Sequence, residues 1–276
     1  MGRVENKVAL ITGAARGQGR SHAIRLAEEG ADIIAVDLCD QIDSVPYGMS
    51  TPDDLAETAR LVEALDRRIS IHQADVRDLE QMGSAVQAGI AQIGPIDIVV
   101  ANAGIFSHAS TREMTAHVWQ DMIDVNLTGV WNIVRAAVPS MLDRGAGGSL
   151  VLISSSAGIK GFPAFAHYTA AKHGVVGLMK SFANEFGPHR IRVNSIHPSA
   201  VDTPMIKNET MYRLFRPDLE NPTADDYGEI FQSMHMLPVK WADPRDISNA
   251  VLWLASDESR YVTGLQVKVD LGYCEK

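Results

Sequence analysis

The 276-residue sequence predicts an α/β fold, a doubly wound parallel sheet of about seven strands with helices on both faces. Three observations carry that prediction. Short apolar runs recur almost from end to end, segments with helical apolar spacing separate them, and no repeat, linker or low-complexity tract interrupts the series. Residues 1–276 therefore read as a single domain.

Residues 7–12 (KVALIT) form the first apolar run, followed by a glycine-rich turn and a helical run over residues 21–29. Residues 31–37 (ADIIAVD) make the second strand. After the insertion 38–50, Thr51 supplies an N-cap, Pro52 a first-turn proline, and Asp53 and Asp54 carboxylates near a positive helix end. Residues 69–75 (ISIHQAD) alternate, as an edge or partly covered strand does. Beyond Asp78, Leu79, Met82, Val86, Ile90 and Ile93 fall on one helical stripe. Residues 96–102 and 149–154 read as strands buried on both faces, with a helical pattern over 118–141 between them. A helix is expected over 165–186, then alternating strands at 190–197 and 265–270. The insertion and the stretch 203–240 exceed economical connection length, and both leave the carboxyl ends of strands, where open α/β sheets bind ligands. The second is read as a helical lid.

Composition narrows the function. Lys and Arg total 25 against 34 Asp and Glu, a net charge of −9, which argues against a nucleic-acid partner. No apolar run approaches the ~20 residues of a membrane span, and the N-terminal stretch lacks a signal-peptide apolar region. Cys39 and Cys274 form neither a disulfide framework nor a metal-type spacing, and the nine histidines show no ligand spacing, so no metal is expected. These features predict a cytoplasmic protein with no membrane partner.

The turn after the first strand, Gly13-Ala14-Ala15-Arg16-Gly17-Gln18-Gly19, has G-x-x-x-G-x-G spacing rather than G-x-G-x-x-G. Such glycines let backbone N–H groups approach a pyrophosphate at a helix N-terminus, although an ordinary strand–helix turn would look the same. Asp37 strengthens the dinucleotide reading, because a carboxylate closing the second strand can bind both adenosine ribose hydroxyls. It also favours NAD. At ~4 Å, a carboxylate opposes a 2′-phosphate by about 4 kcal/mol per unit charge at an effective dielectric of ~20. Arg16 argues the other way, and keeps an NADP-dependent carbonyl reductase as the alternative. Tyr168 and Lys172, four apart on a helix, project from one face. A nearby ammonium is expected to pull the phenol pKa down from ~10 towards neutrality, making Tyr168 a general base for an alcohol or a general acid for a carbonyl. Ser155 ends its strand in position to orient a substrate oxygen, with Ser154 and Ser156 as neighbours that leave the choice ambiguous by one.

Together, residues 12–19, Asn102-Ala103-Gly104, Ser155, Tyr168-x-x-x-Lys172 and residues 198–203 resemble the short-chain dehydrogenase/reductase family, over essentially the whole chain. The glycine loop through Ser21-His22 and the insertion after Asp37 resemble its carveol dehydrogenase branch, described as mycofactocin-coupled. The resemblance implies a Rossmann-type fold and the catalytic set Asn126, Ser155, Tyr168 and Lys172. Its spacing selects Ser155, and it gives Asn126 a water in a proton relay behind Lys172. It implies cofactor contacts from Gly13, Ala15, Arg16, Gly17, Gln18 and Gly19, from Asp37 and Leu38, and from Asp75 and Val76 at adenine. Asn102, Ala103 and Gly104 line the cofactor in that pattern, with Tyr168 and Lys172 at the nicotinamide ribose. Pro198, Val201 and Thr203 lie along the nicotinamide, Val201 and Thr203 meeting its carboxamide. Ser199 departs from the family's usual glycine. The branch further implies tightly held, poorly exchanging NAD, an external electron acceptor, and a homotetramer. The apolar residues of 203–240 suit either lid packing or direct contact with a hydrophobic secondary alcohol or ketone, terpenoid or alicyclic. A catalytically silent nucleotide-binding protein on the same fold is the reading from a different class.

Overall fold

The computed structural model describes residues 2–276; Met1, the start of the N-terminal stretch, lies outside the described residues. Seven strands, β1 (Val8–Thr12), β2 (Asp32–Asp37), β3 (Ile69–Gln73), β4 (Ile98–Ala101), β5 (Gly148–Ile153), β6 (Ile191–Pro198) and β7 (Gln266–Val269), form one sheet in the order β3-β2-β1-β4-β5-β6-β7. All six pairings are parallel. The order reverses between β1 and β4, which opens a crevice at their carboxyl ends.

Side chains alternate across the sheet, and both faces are apolar because both are covered. Leu10, Ile34, Val99 and Leu150 pack beneath α3 (Leu79–Ile93), α5 (Gly129–Arg144) and α6 (Ala166–Phe186). Ala9, Ile11, Ile33 and Val100 pack beneath α1 (Gly17–Ala27), α2 (Pro52–Glu63) and α9 (Pro244–Ala255). Burying one such aliphatic side chain contributes about 1.5–3 kcal/mol, so the two layers fix strand register firmly. The expected cap of α2 is a full capping box: Thr51 accepts from the Asp54 N–H while Asp54 accepts from the Thr51 N–H.

Three expectations need correction. α1 begins at Gly17, four residues earlier than the 21–29 run, because the glycine turn itself becomes the first helical turn. The 118–141 pattern is broken into α4 (Ala116–Ile123), a π-helical turn (Asp124–Thr128) and α5. Such turns are rare inserts that often mark functional positions. Finally, β6 is neither an edge nor half-covered; it lies between β5 and β7 and is almost wholly buried. Its alternating polar residues bind internal loops rather than water. Asn194 donates to Val262 O and accepts from Leu265 N, Ser195 pairs with His197, and Arg192 reaches Ser259 and Ser256. No helix among the described residues is long and apolar enough to cross a membrane.

Candidate active site

Two cavities meet above the crevice. The first is a groove over the β1–β4 switch point. Its floor follows from glycines: a Cβ on Gly13 would lie 2.8 Å from Ala103 Cα, and one on Gly19 1.9 Å from Gly13 O. Gly13 also has φ of +66°, a left-handed conformation that other residues adopt at a cost. Gly17 and Gln18 open α1, whose first turn carries no acidic residue, so its N–H groups face the groove without competition from a side-chain carboxylate. Asn102 ties β4 to this turn by donating to Thr12 O at 3.0 Å and Gly13 O at 3.3 Å. Gly104 is required small, since its Cβ would sit 2.9 Å from Asn126 Oδ1 and 3.6 Å from Lys172 Nζ.

Asp37 lies in the groove wall with both oxygens engaged: Oδ2 accepts from Ala15 N at 2.9 Å, and Oδ1 from Ser50 Oγ at 2.7 Å and Cys39 N at 3.2 Å. Oδ2 accepts from Ala15 N alone, so it keeps a position open for a ribose hydroxyl. Ala15 is fully buried, and its N–H orients Asp37. Arg16 does not wait for a phosphate. Its guanidinium donates to Gly48 O at 2.6 Å, fastening the insertion across the groove. Leu38, Ala103 and Val76 line the groove. Asp75 does too, but its carboxylate is held by Arg77 at 2.7 Å. The groove thus fits a dinucleotide with an unphosphorylated ribose. Asp37→Asn should keep most of these bonds while lowering the NAD-to-NADP ratio of kcat/KM by about 10²-fold, within the ~10³ ceiling set by a 4 kcal/mol charge term.

The second cavity, of about 330 Å³, is apolar and covered by the lid. The lid folds as α7 (Glu209–Phe215) and α8 (Ala224–Met234). Met211, Leu214, Phe215, Phe231 and Met234 line the chamber directly, whereas Tyr227 is buried inside the lid and Met236 is 62% exposed. Pro198 and Val201 open on this chamber rather than on the groove, while Thr203 borders both. Of the end wall, sequence reasoning reached Phe162 but missed Tyr273. Tyr273 stacks on Phe162 with centroids 5.7 Å apart, a contact between chain end and β5–α6 loop that no local pattern announces. Ser199, where the family usually has glycine, uses its hydroxyl to reach Asp270 O at 3.0 Å and His235 Nε2 at 3.2 Å, joining the lid to the end of the chain.

The cavities share a wall at Tyr168, which stands edge-on to Phe106 at 5.2 Å. Lys172 is buried one helical turn on, with Nζ donating to Ile153 O at 3.0 Å and lying 5.7 Å from the Tyr168 ring centroid. Ser155 lines the substrate chamber and its hydroxyl accepts from Ala157 N at 3.1 Å. Burial works against the expected acidic phenol by raising the Tyr168 pKa, and the neighbouring Ser155 hydroxyl opposes that rise. Burial also pushes Lys172 down to about 8. Both groups are desolvated, so each loses preference for its charged form. Asn126 is buried in the π turn, but its side chain is spent on Ile105: Oδ1 accepts from N at 2.9 Å and Nδ2 donates to O at 2.8 Å. Of the histidines flanking Tyr168, buried His167 pairs with Ser107 and exposed His173 with Thr169 O.

A glycine-floored groove at a sheet's switch point, joined through a Tyr–Lys helix face to an apolar chamber, defines a Rossmann-type oxidoreductase. A family model described as enoyl-(acyl carrier protein) reductase matches residues 13–274. The chain is 52% identical to (−)-trans-carveol dehydrogenase of Rhodococcus erythropolis, covering 99% of each sequence. Its structure superposes on carveol dehydrogenase from Mycobacterium avium in complex with NAD with a TM-score of 0.99, 60% identity and complete coverage of both chains. A short chain dehydrogenase from Mycobacterium paratuberculosis bound to NAD follows at a TM-score of 0.90 and 46% identity, again with complete coverage of both chains. The chain belongs to the short-chain dehydrogenase/reductase family.

Proposed function

We propose that this chain is an NAD-dependent dehydrogenase that oxidises a hydrophobic, carveol-like secondary alcohol to its ketone. The observation that carries the reading is the meeting of groove and apolar chamber at one phenol. Bound NAD supplies the hydride acceptor. Gly13, Gly17 and Gly19 admit its pyrophosphate, Asp37 takes the adenosine ribose, and Lys172 takes the nicotinamide ribose. Ser155 orients the alcohol oxygen, and Tyr168 accepts its proton as the carbinol C–H is surrendered. Asn126, its side chain held by Ile105, is assigned the relay water behind Lys172. The aromatic and methionine walls exclude water and adapt to alicyclic shapes.

The tightly held cofactor and an external electron acceptor belong to the same proposal, as do a cytoplasmic setting and a homotetramer. The half-exposed Trp119 and Trp131, 40% accessible on the α4–α5 run, support burial against another copy. Denaturing the purified protein should release NAD, and screening cyclic and terpenoid alcohols with an artificial electron acceptor should show steady oxidation. A preparation that oxidises none of them overturns the proposal.

The pH profile follows from the shifts. A base must be deprotonated, and burial raises the Tyr168 pKa, so kcat/KM for oxidation should climb with pH above neutrality while reduction falls. Lys172→Met should move that climb to higher pH and slow turnover. The folded pKa of Lys172, about 8, lies below its unfolded value of 10.5. The unfolded chain then binds more protons between those values, so this group's contribution to stability improves as pH rises from 8 to 10.5. Removing the buried amine should therefore stabilise the fold at pH 7 by roughly 1–3 kcal/mol, read as a higher chemical-denaturation midpoint.

A further inference from the structure

We infer that the side chain of Gln18 reads a hydrogen-bond donor on the bound ligands at the junction of the two cavities, in addition to any role of its backbone in the glycine loop. This rests on the dehydrogenase reading above. Gln18 lies in the first turn of α1 and borders both the groove and the substrate chamber. Its Oε1 is buried, and among the described residues nothing donates to it. Buried carbonyl oxygens in folded proteins nearly always have a partner, because water has been removed without replacement.

The polar neighbours around the same junction are already engaged. Ser154 Oγ donates to Lys172 O at 2.9 Å, and Thr203 Oγ1 donates to Val201 O at 3.3 Å. Ser155 Oγ accepts from Ala157 N at 3.1 Å. The fifth shared residue, Met205, offers no strong polar group. Gln18 Oε1 is thus, among the described residues, the buried acceptor at this junction that no donor meets. An aliphatic side chain would fill the same wall without desolvating a carboxamide.

Two donors can reach this junction: a second hydroxyl on the substrate, beside the one being oxidised, and the amide N–H₂ of the nicotinamide. Both present the same chemistry to Oε1. A substrate donor would make the chamber select alcohols with a second polar group on an otherwise hydrophobic ring, anchored at Gln18 while Ser155 and Tyr168 hold the reacting end.

The test uses Gln18→Met, which preserves length and removes the acceptor, and Gln18→Leu as a second apolar variant. Turnover is measured for cyclohexanol against the three positional cyclohexanediols. Affinity is measured by calorimetry for NAD against its 3-acetylpyridine analogue, which has a methyl where the amide N–H₂ stands. The inference expects one wild-type preference for the donor-bearing ligand, about 10- to 100-fold, to collapse towards unity in both variants. Collapse of the diol preference assigns the donor to substrate; collapse of the NAD preference assigns it to cofactor. Variants that fold, bind NAD and leave both ratios at wild-type values overturn it. Failure of the dehydrogenase reading looks different: the wild type would oxidise no alcohol, while the affinity arm would still report on Gln18.

Discussion

Tyr168→Phe should abolish alcohol oxidation, lowering kcat by about 10²–10⁴-fold, while the variant still copurifies with NAD. The magnitude is that of a positioned general base removed from an otherwise intact site. Phe keeps the ring, so the edge-on contact with Phe106 at 5.2 Å and the packing around Phe165 survive. What disappears is the hydroxyl on the wall shared by the two cavities, the group positioned to take the substrate proton. Folding stability should change by less than about 1.5 kcal/mol, since at most one hydrogen bond is lost. The measurement is single-turnover reduction of the resident nucleotide alongside its quantification after denaturation. Turnover within a few fold of wild type would transfer the base role elsewhere. Empty protein would instead show that Tyr168 holds cofactor, and the loss of rate would say nothing about proton transfer. Ser155→Ala supplies the contrast. It removes substrate orientation and the hydroxyl's bond from Ala157 N, so it should lower turnover while leaving Tyr168 able to titrate.

Local signals were legible where one short segment fixes both identity and position. The glycine turn, the Thr51 cap and the Tyr168/Lys172 spacing each occupy a few consecutive or one-turn-apart residues, and the structure puts them where that geometry demands. Contacts made by long-range closure were not legible. Ser50 meets Asp37 across the insertion, and Tyr273 meets Phe162 from the end of the chain. Neither pairing leaves a periodic trace. β6 misled for a related reason: alternation of polar and apolar residues normally means one wet face, but here loops 256–265 arrive to satisfy Asn194 and Arg192. For Tyr168, pair spacing shows an ammonium nearby but not that both partners are desolvated.

Excising residues 41–50 should speed NAD dissociation by about 10- to 100-fold. Among the bonds that fasten the insertion after β2, three close it over the groove and the lid. Arg16 donates to Gly48 O at 2.6 Å, Tyr47 Oη accepts from Phe106 N at 3.2 Å, and Thr210 of α7 donates to Pro46 O at 3.0 Å. Ile42, Tyr47 and Met49 form groove wall on the side facing away from the sheet. A cofactor leaving the groove must break this strap, and a charge-assisted hydrogen bond such as that from Arg16 is worth about 1.5–3 kcal/mol, or one to two powers of ten in rate. Excision also removes Ser50, which holds Asp37, so a narrower change separates closure from ribose binding. Arg16→Met releases the strap while leaving Ala15 N and Ser50 on Asp37. If strap release governs exit, Arg16→Met should reproduce most of the acceleration, whereas Ser50→Ala should weaken NAD affinity chiefly through Asp37. The contact with α7 adds a coupling: because Pro46 is bonded to the substrate lid, ligand in the apolar chamber should slow NAD release in the wild type and lose that effect in Thr210→Val. Stopped-flow displacement with and without a non-reacting alicyclic ketone reads both quantities. Equal release rates in wild type and the excised chain would place the retaining force in the groove floor instead.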